Sequence, residues 1–265
     1  MFRTNSLKHA MLAGSPAFGL SQTIASPGLS EMMGQLGCDF VLLDDEHGQG
    51  DFADHLACLR ALSSTPATGL IRLASADPIR IGRFLDFGVE GIMVAGIATV
   101  GQAEAVVAAC RYPPRGTRGY GASGVRASDY GLRKDAYLAG AEHEILIAVM
   151  IESAEGVRNA RAIAAVDGVD VLQIGANDLS YDLGVPDQLS HPELLEAIAQ
   201  IENAARQSGK MLGGAPIPPG GLSALLDNDY RLITLSRDGT LFAGAVTERL
   251  MTARKSANTK QGEKA

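Results

Sequence analysis

The chain has 265 residues, 46% of them hydrophobic and 20% charged, with a net charge of −7. That composition describes one globular unit with a large core and argues against a nucleic-acid surface, which requires a basic face. With no tryptophan and 5% aromatics, aliphatic side chains must do most of the packing.

Short apolar runs alternate with amphipathic stretches from end to end, as repeated βα units require. Predicted strands are residues 18–23, 40–44, 68–72, 91–95, 146–151, 171–175, 210–213 and 232–235. Helices are expected to begin near Pro27, Asp51, Pro78, Val100, Val157, Pro192, Gly220 and Leu241. Several carry proline at the first turn, where the missing N–H is harmless. Eight strands in strict alternation with eight helices predict a closed (β/α)8 TIM barrel spanning residues 1–265 as a single domain. The longest interruption runs from Arg111 to Glu144; a connection of that length usually carries function. Residues 254–265 are polar and read as a frayed tail.

Cys38, Cys58 and Cys110 form no Cys-x-x-Cys pair and sit among apolar neighbours, which suits a reducing compartment. No apolar segment of membrane-spanning length occurs and no export signal is legible, so the expectation is a cytoplasmic protein with no membrane partner.

Barrels place chemistry at the C-terminal ends of their strands. There the sequence puts Asp44-Asp45-Glu46-His47 after the second strand, Arg72 at the end of the third, Glu152 after the fifth, and Asn177-Asp178 just beyond the sixth. Glu152 and Asp178 are the natural ligands of a hard divalent cation, which takes oxygen donors and commonly only one or two carboxylates. Helix capping is the bland alternative for each. Arg72 can hold a carboxylate or a developing enolate oxygen, its bland alternative being a structural ion pair. His47 has the pKa range of a proton shuttle. Gly119-Tyr120-Gly121-Ala122-Ser123-Gly124 fits the dinucleotide pattern G-x-G-x-x-G, but it follows Tyr112-Pro113-Pro114 rather than a buried strand, so no nucleotide cofactor is expected. The remaining histidines lack zinc spacing.

The segments Val41–Gly48, Arg111–Gly119, Ile151–Ser153 and Ile174–Ser180 resemble, in order and spacing, the HpcH/HpaI aldolase family of class II pyruvate aldolases. The resemblance implies a barrel of the phosphoenolpyruvate/pyruvate type, assembled as a hexamer (a dimer of trimers). It implies Mg2+ or Mn2+, or else Co2+, held by Glu152 and Asp178, and a pyruvate-like keto acid bound at Gly175, Ala176 and Asn177. Arg72 would stabilise the enolate, His47 with Asp44 would move protons, and Asp86 would reach a neighbouring subunit's histidine. The second substrate would be an aldehyde. The pattern differs at Met150, where the family often has glutamine, at Ala95-Gly96 in place of a proline, and at Ala176-Asn177 in place of Pro-Ala. Decarboxylation or acyl-CoA cleavage through the same enolate is the nearest alternative within enzymes, and a non-catalytic keto-acid-binding barrel is the alternative outside them.

Overall fold

The computed structural model describes the backbone of residues 3–262 and the side chains of residues 3–259. Eight parallel strands, β1 (Ala17–Gln22), β2 (Phe40–Asp44), β3 (Thr68–Leu73), β4 (Gly91–Val94), β5 (Leu146–Ile151), β6 (Val171–Ile174), β7 (Met211–Gly214) and β8 (Tyr230–Arg237), close into a barrel in sequence order. Every residue of β2 through β6 is buried, because helices cover the outside of the sheet and side chains fill the inside. Phe40, Leu42, Leu70, Met93, Ala148 and Met150 pack within the barrel. Their alternates Val41, Leu43, Ile71, Ile92, Ile147 and Val149 pack outward against helices.

The helices following the strands begin close to the expected positions: α2 (Pro27–Gln35), α3 (Phe52–Leu62), α4 (Pro78–Asp86), α5 (Val100–Cys110), α7 (Ala154–Ala164), α9 (Pro192–Gln207), α10 (Gly221–Asp227) and α11 (Asp238–Gly262). Asp51 caps α3 by accepting from the N–H groups of Ala53 and Asp54, and Asp77 caps α4 in the same way. Three further helices escape the sequence pattern. The first, α1 (Ser6–Leu12), precedes β1 and inserts Leu7 and Met11 into the N-terminal end of the barrel, and its Lys8 ammonium donates to Asp170 Oδ2 at 2.8 Å. The second, α6 (Lys134–Glu144), and a short 3-10 helix at Arg126–Ser128 structure the long connection. The third, α8 (Ala176–Asp182), starts directly after β6.

The glycine-rich segment 119–124 lies in irregular chain between α5 and the 3-10 helix, not at a strand–helix turn. The polar tail continues α11 as a helix through Gly262, exposed as far as Thr259, and residues 263–265 of the expected frayed tail lie outside the described residues. Among the described residues no helix is long and apolar enough to cross a membrane.

One irregularity matters for the site. The β1–β8 pairing slips between Gly19 and Leu20: Thr234 pairs with Gly19, but Ser236 pairs with Leu20 and Arg237 with Ser21. Paired residues in a sheet share a face, so the slip turns Arg237 inward beside Ser21, where an uninterrupted ladder would have turned it out.

Candidate active site

β2 and β3 run in register, Asp44 opposite Arg72, and so deliver a carboxylate and a guanidinium to the same height inside the barrel. Asp44 is fully buried and accepts from Arg72 Nε at 3.0 Å and Nη2 at 2.5 Å, a forked ion pair. Its Oδ1 also accepts the backbone N–H groups of Glu46 and His47 at 3.2 and 3.1 Å, which turns the chain after β2. Burial by itself would raise the Asp44 pKa. The Arg72 fork and the two N–H donors outweigh it and hold the carboxyl below the usual range. Glu46 Oε2 lies 3.2 Å from Arg72 Nε, so the guanidinium sits between two carboxylates, while Nη1 makes no hydrogen bond to a described residue. Arg72 is thereby aimed rather than free to swing.

Asp44 and His47, expected to move protons together, lie at the same strand exit without a direct side-chain hydrogen bond. Asp44 meets His47 only through the backbone N–H, and the imidazole is 56% exposed with Nε2 at 3.8 Å from Glu46 Oε2. The Asp44 carboxylate is consumed by Arg72. Sequence reasoning missed the neighbouring cluster in which Asp45 pairs with Arg80 at 2.5 Å and lies 3.5 Å from Nε2 of buried His55. An acid one residue after a strand-end acid was the available signal.

Glu152 stands one residue past β5. Its Oε1 accepts the Gly96 N–H at 2.7 Å, and its Oε2 lies so near Gly175 that a Cβ there would come within 2.5 Å. Glycine at 175 is therefore a requirement of close approach. Burial raises the Glu152 pKa to about 7, with the negative charges of Asp178 and Glu46 pushing the same way against the Gly96 N–H and Arg72. Asp178, in the first turn of α8, is exposed and makes no hydrogen bond to a described residue. Among the described residues no group of three or more His, Cys, Asp and Glu is arranged to hold a metal ion. The pair Glu152 and Asp178 nevertheless fits a hard divalent cation: two oxygen donors, mutually repelling, with lone pairs left unused and room for other ligands. Gly175, Ala176, Asn177 and Asp178 line one cavity with Arg72, of about 430 Å3, an ordinary size for a small-molecule site. Met150 and, beside it in register, Gln173 form part of its floor.

Asp86 is not brought to this cavity within the chain. It lies in the last turn of α4, which runs back toward the strands' N-terminal ends, and accepts from buried Arg118 Nη2 at 2.8 Å.

A parallel barrel whose strand ends gather Glu46, Glu152 and Asp178 around a fixed arginine has the anatomy of a barrel enzyme acting on small anions. The comparisons agree. Residues 18–245 match the family described as HpcH/HpaI aldolase/citrate lyase. The chain is 38% identical to a hydroxypyruvate/pyruvate aldolase of Sagittula stellata, covering 89% of this chain and 85% of the relative. It is 35% identical to a 5-keto-4-deoxy-D-glucarate aldolase of Shigella boydii over 86% and 84% of the two chains. The crystal structure of an HpcH/HpaI aldolase/citrate lyase family protein from Burkholderia cenocepacia superposes with a TM-score of 0.88 at 32% identity, over 95% of this chain and all of that one. The chain belongs to the HpcH/HpaI aldolase/citrate lyase family and is a lyase.

Proposed function

We propose that the protein is a divalent-metal-dependent aldolase that makes or cleaves 4-hydroxy-2-keto acids through a pyruvate-type enolate and an aldehyde. The observation that supports this reading is the Arg72 guanidinium, fixed by Asp44 and lining one cavity with Asp178, while Glu152 packs against Gly175 of the same lining. Glu152 and Asp178 are the residues that would hold Mg2+, Mn2+ or Co2+, which when bound withdraws electron density from a keto acid's carbonyl.

Arg72 offers Nη1 to the enolate oxygen, charge that develops only as the reaction proceeds, so the interaction favours the transition state over the ground state. Asp44 acts as its positioning residue, fixing the fork so that no reorganisation is needed. The N–H groups of Ala176 and Asn177, at the start of α8, have no intrahelical acceptor and are available to a keto-acid carboxylate bound beside Gly175, whose own N–H donates to the Ile151 carbonyl at 3.0 Å. His47, exposed at the rim beside Glu46, moves the proton on the aldehyde oxygen. As the family resemblance implies, the active assembly is a hexamer built as a dimer of trimers, in which Asp86 approaches the histidine of an adjacent copy. Leu241, Phe242, Leu250 and Met251, exposed along α11, supply apolar surface for such contacts. Three unpaired cysteines support a cytoplasmic location.

The test supplies pyruvate, a hydroxyaldehyde and Mg2+ or Mn2+, with and without chelator. Aldol product that disappears on chelation and with Glu152→Ala is expected; product indifferent to both refutes the metal-dependent reading.

A further inference from the structure

The proposed chemistry makes no use of the buried ion cluster behind the end of β2. Successive residues of a strand point to opposite faces, so Asp44 turns into the barrel toward Arg72 and Asp45 turns out, between the sheet and its helices. The Asp45 N–H donates to the Arg72 carbonyl at 2.9 Å, which carries the β2–β3 ladder one residue past the strand. Its side chain is 3% exposed and is gripped by a fork from Arg80 of α4, Nε to Oδ2 at 3.0 Å and Nη2 to Oδ1 at 2.6 Å. Burial works to raise the Asp45 pKa, but His55 and Arg80 outweigh it and hold the carboxyl below the usual range.

The same cluster reaches the other end of the loop. His55, in α3, has a side chain 2% exposed, with Nε2 3.5 Å from Asp45 Oδ1. That is too long for a full hydrogen bond, and neither ring nitrogen has a partner among the described residues. The ring packs instead. It meets Phe84 edge-on at 5.6 Å between centroids and lies beneath Gly50, where a Cβ would stand 3.1 Å from Cε1. One imidazole thus touches both ends of segment 45–50, in whose middle stand Glu46 and His47. Arg80 joins the two helices, its guanidinium lying 4.8 Å over the ring of Phe52, the first residue of α3. A buried ion pair is seldom worth more than apolar packing of the same volume, so its presence here points to orientation rather than stability.

We propose that Asp45, His55 and Arg80 are positioning residues for the aldehyde half of the reaction: they clamp the 45–50 loop from outside the barrel and so hold the His47 imidazole where the aldehyde oxygen gains and loses its proton. The imidazole makes no short contact of its own, with Nε2 3.8 Å from Glu46 Oε2, so its place is set by the loop that carries it. Arg72 is fixed separately, by Asp44 and the register of β2 on β3. The cluster therefore governs one half of the chemistry and leaves the enolate half alone.

This inference rests on the aldolase reading, and the experiment separates the two. Full-length wild type, Arg80→Met, Arg80→Lys and Asp45→Asn are assayed with Mn2+, below their unfolding temperatures, in two reactions. Aldol addition of pyruvate to glycolaldehyde needs a proton delivered to the aldehyde oxygen. Decarboxylation of oxaloacetate breaks a carbon–carbon bond to release CO2 and leaves the electron pair as the same enolate, which solvent protonates with no aldehyde present. Arg80→Met should lower kcat for aldol addition about 10- to 100-fold, the scale of a catalytic group misplaced by an ångström, with the pyruvate KM and the decarboxylation rate within about twofold of wild type. Arg80→Lys should recover part of the loss. Asp45→Asn removes the buried charge rather than stranding it; it should show the same split, and serves where Arg80→Met does not fold. A proportional fall in both reactions, as a merely structural role would give, overturns the assignment, and so does a fall in neither. A wild type that forms aldol product without decarboxylating oxaloacetate overturns it too, because the enolate half would then depend on the aldehyde half. In each of these cases the aldolase reading stands; a wild type that forms no aldol product refutes that reading and the inference with it.

Discussion

The two ends of this barrel are made from the same residue types and used in opposite ways. At the N-terminal end the charges around the opening are answered. Lys8 meets Asp170 and the Ile145 carbonyl, Arg3 forks onto Glu90, and Asn5 donates to the carbonyls of Glu90 and Glu144 while Leu7 and Met11 plug the opening. At the C-terminal end charge is left over: Glu152 is pushed up to about 7, Asp178 and Arg237 have no partners among the described residues, and Ser21 Oγ, Gln173 Oε1 and Thr234 Oγ1 in the cavity lining have no hydrogen-bond partner. The closed end stabilises the fold. The open end gives up stability for a ligand, and a substitution's effect should reveal which end it touches.

The largest contrast is expected at Glu152. Glu152→Gln removes a carboxylate that burial and two neighbouring acids disfavour, so thermal unfolding should move upward by a few degrees while kcat/KM falls on the order of 1000-fold. A loss of both would mean that Glu152 belongs with the structural charges. Arg72→Met comes next. It strands the buried Asp44 carboxylate, at a cost of about 3–5 kcal/mol in chemical denaturation together with loss of activity.

The pH dependence of that second variant sharpens the point. In the wild type the Asp44 pKa is depressed, so its stabilisation is present above the ordinary carboxylate range and is lost as pH falls through the folded value. Without Arg72, burial raises the same pKa, and the folded variant gains stability by taking up a proton as pH falls. The gap in Tm between the two proteins should therefore narrow from pH 7 to pH 4; a constant gap would show that Arg72 does not set the charge state of Asp44. The smallest effect belongs to the closed end. Lys8→Met should cost about 1–3 kcal/mol, through the unanswered Asp170 carboxylate and Ile145 carbonyl, with kcat unaltered per folded molecule.

Much of this is legible in the sequence, for physical reasons. β2 and β5 fall at their expected limits because a strand covered on both faces must be apolar throughout, and polar residues mark where it leaves the barrel. Asp44, Arg72, Glu152 and Asp178 announce themselves as charges at such exits. What escapes is whatever depends on pairing rather than pattern. α1 is a short helix whose purpose is to seal a barrel not yet formed, and α8 hides behind a strand-end acid that reads equally as a cap. The partner of Asp44 is chosen by the register of β2 on β3, which no single strand encodes. The inward turn of Arg237 depends on a slip between β1 and β8, strands at opposite ends of the chain. Ser21 and Thr234 were visible as polar residues in strands, but only closure of the barrel puts them on one wall.

The central claim is that the open end is unsatisfied because a divalent cation belongs between Glu152 and Asp178. Titration of Mn2+ into chelator-treated protein, followed by the electron paramagnetic resonance of free Mn2+, tests it without reference to turnover. The account predicts one ion bound per chain in wild type and none held tightly by Glu152→Gln or Asp178→Asn, with Lys8→Met binding as wild type does. Equal binding by wild type and Glu152→Gln, or no binding by wild type, would contradict it.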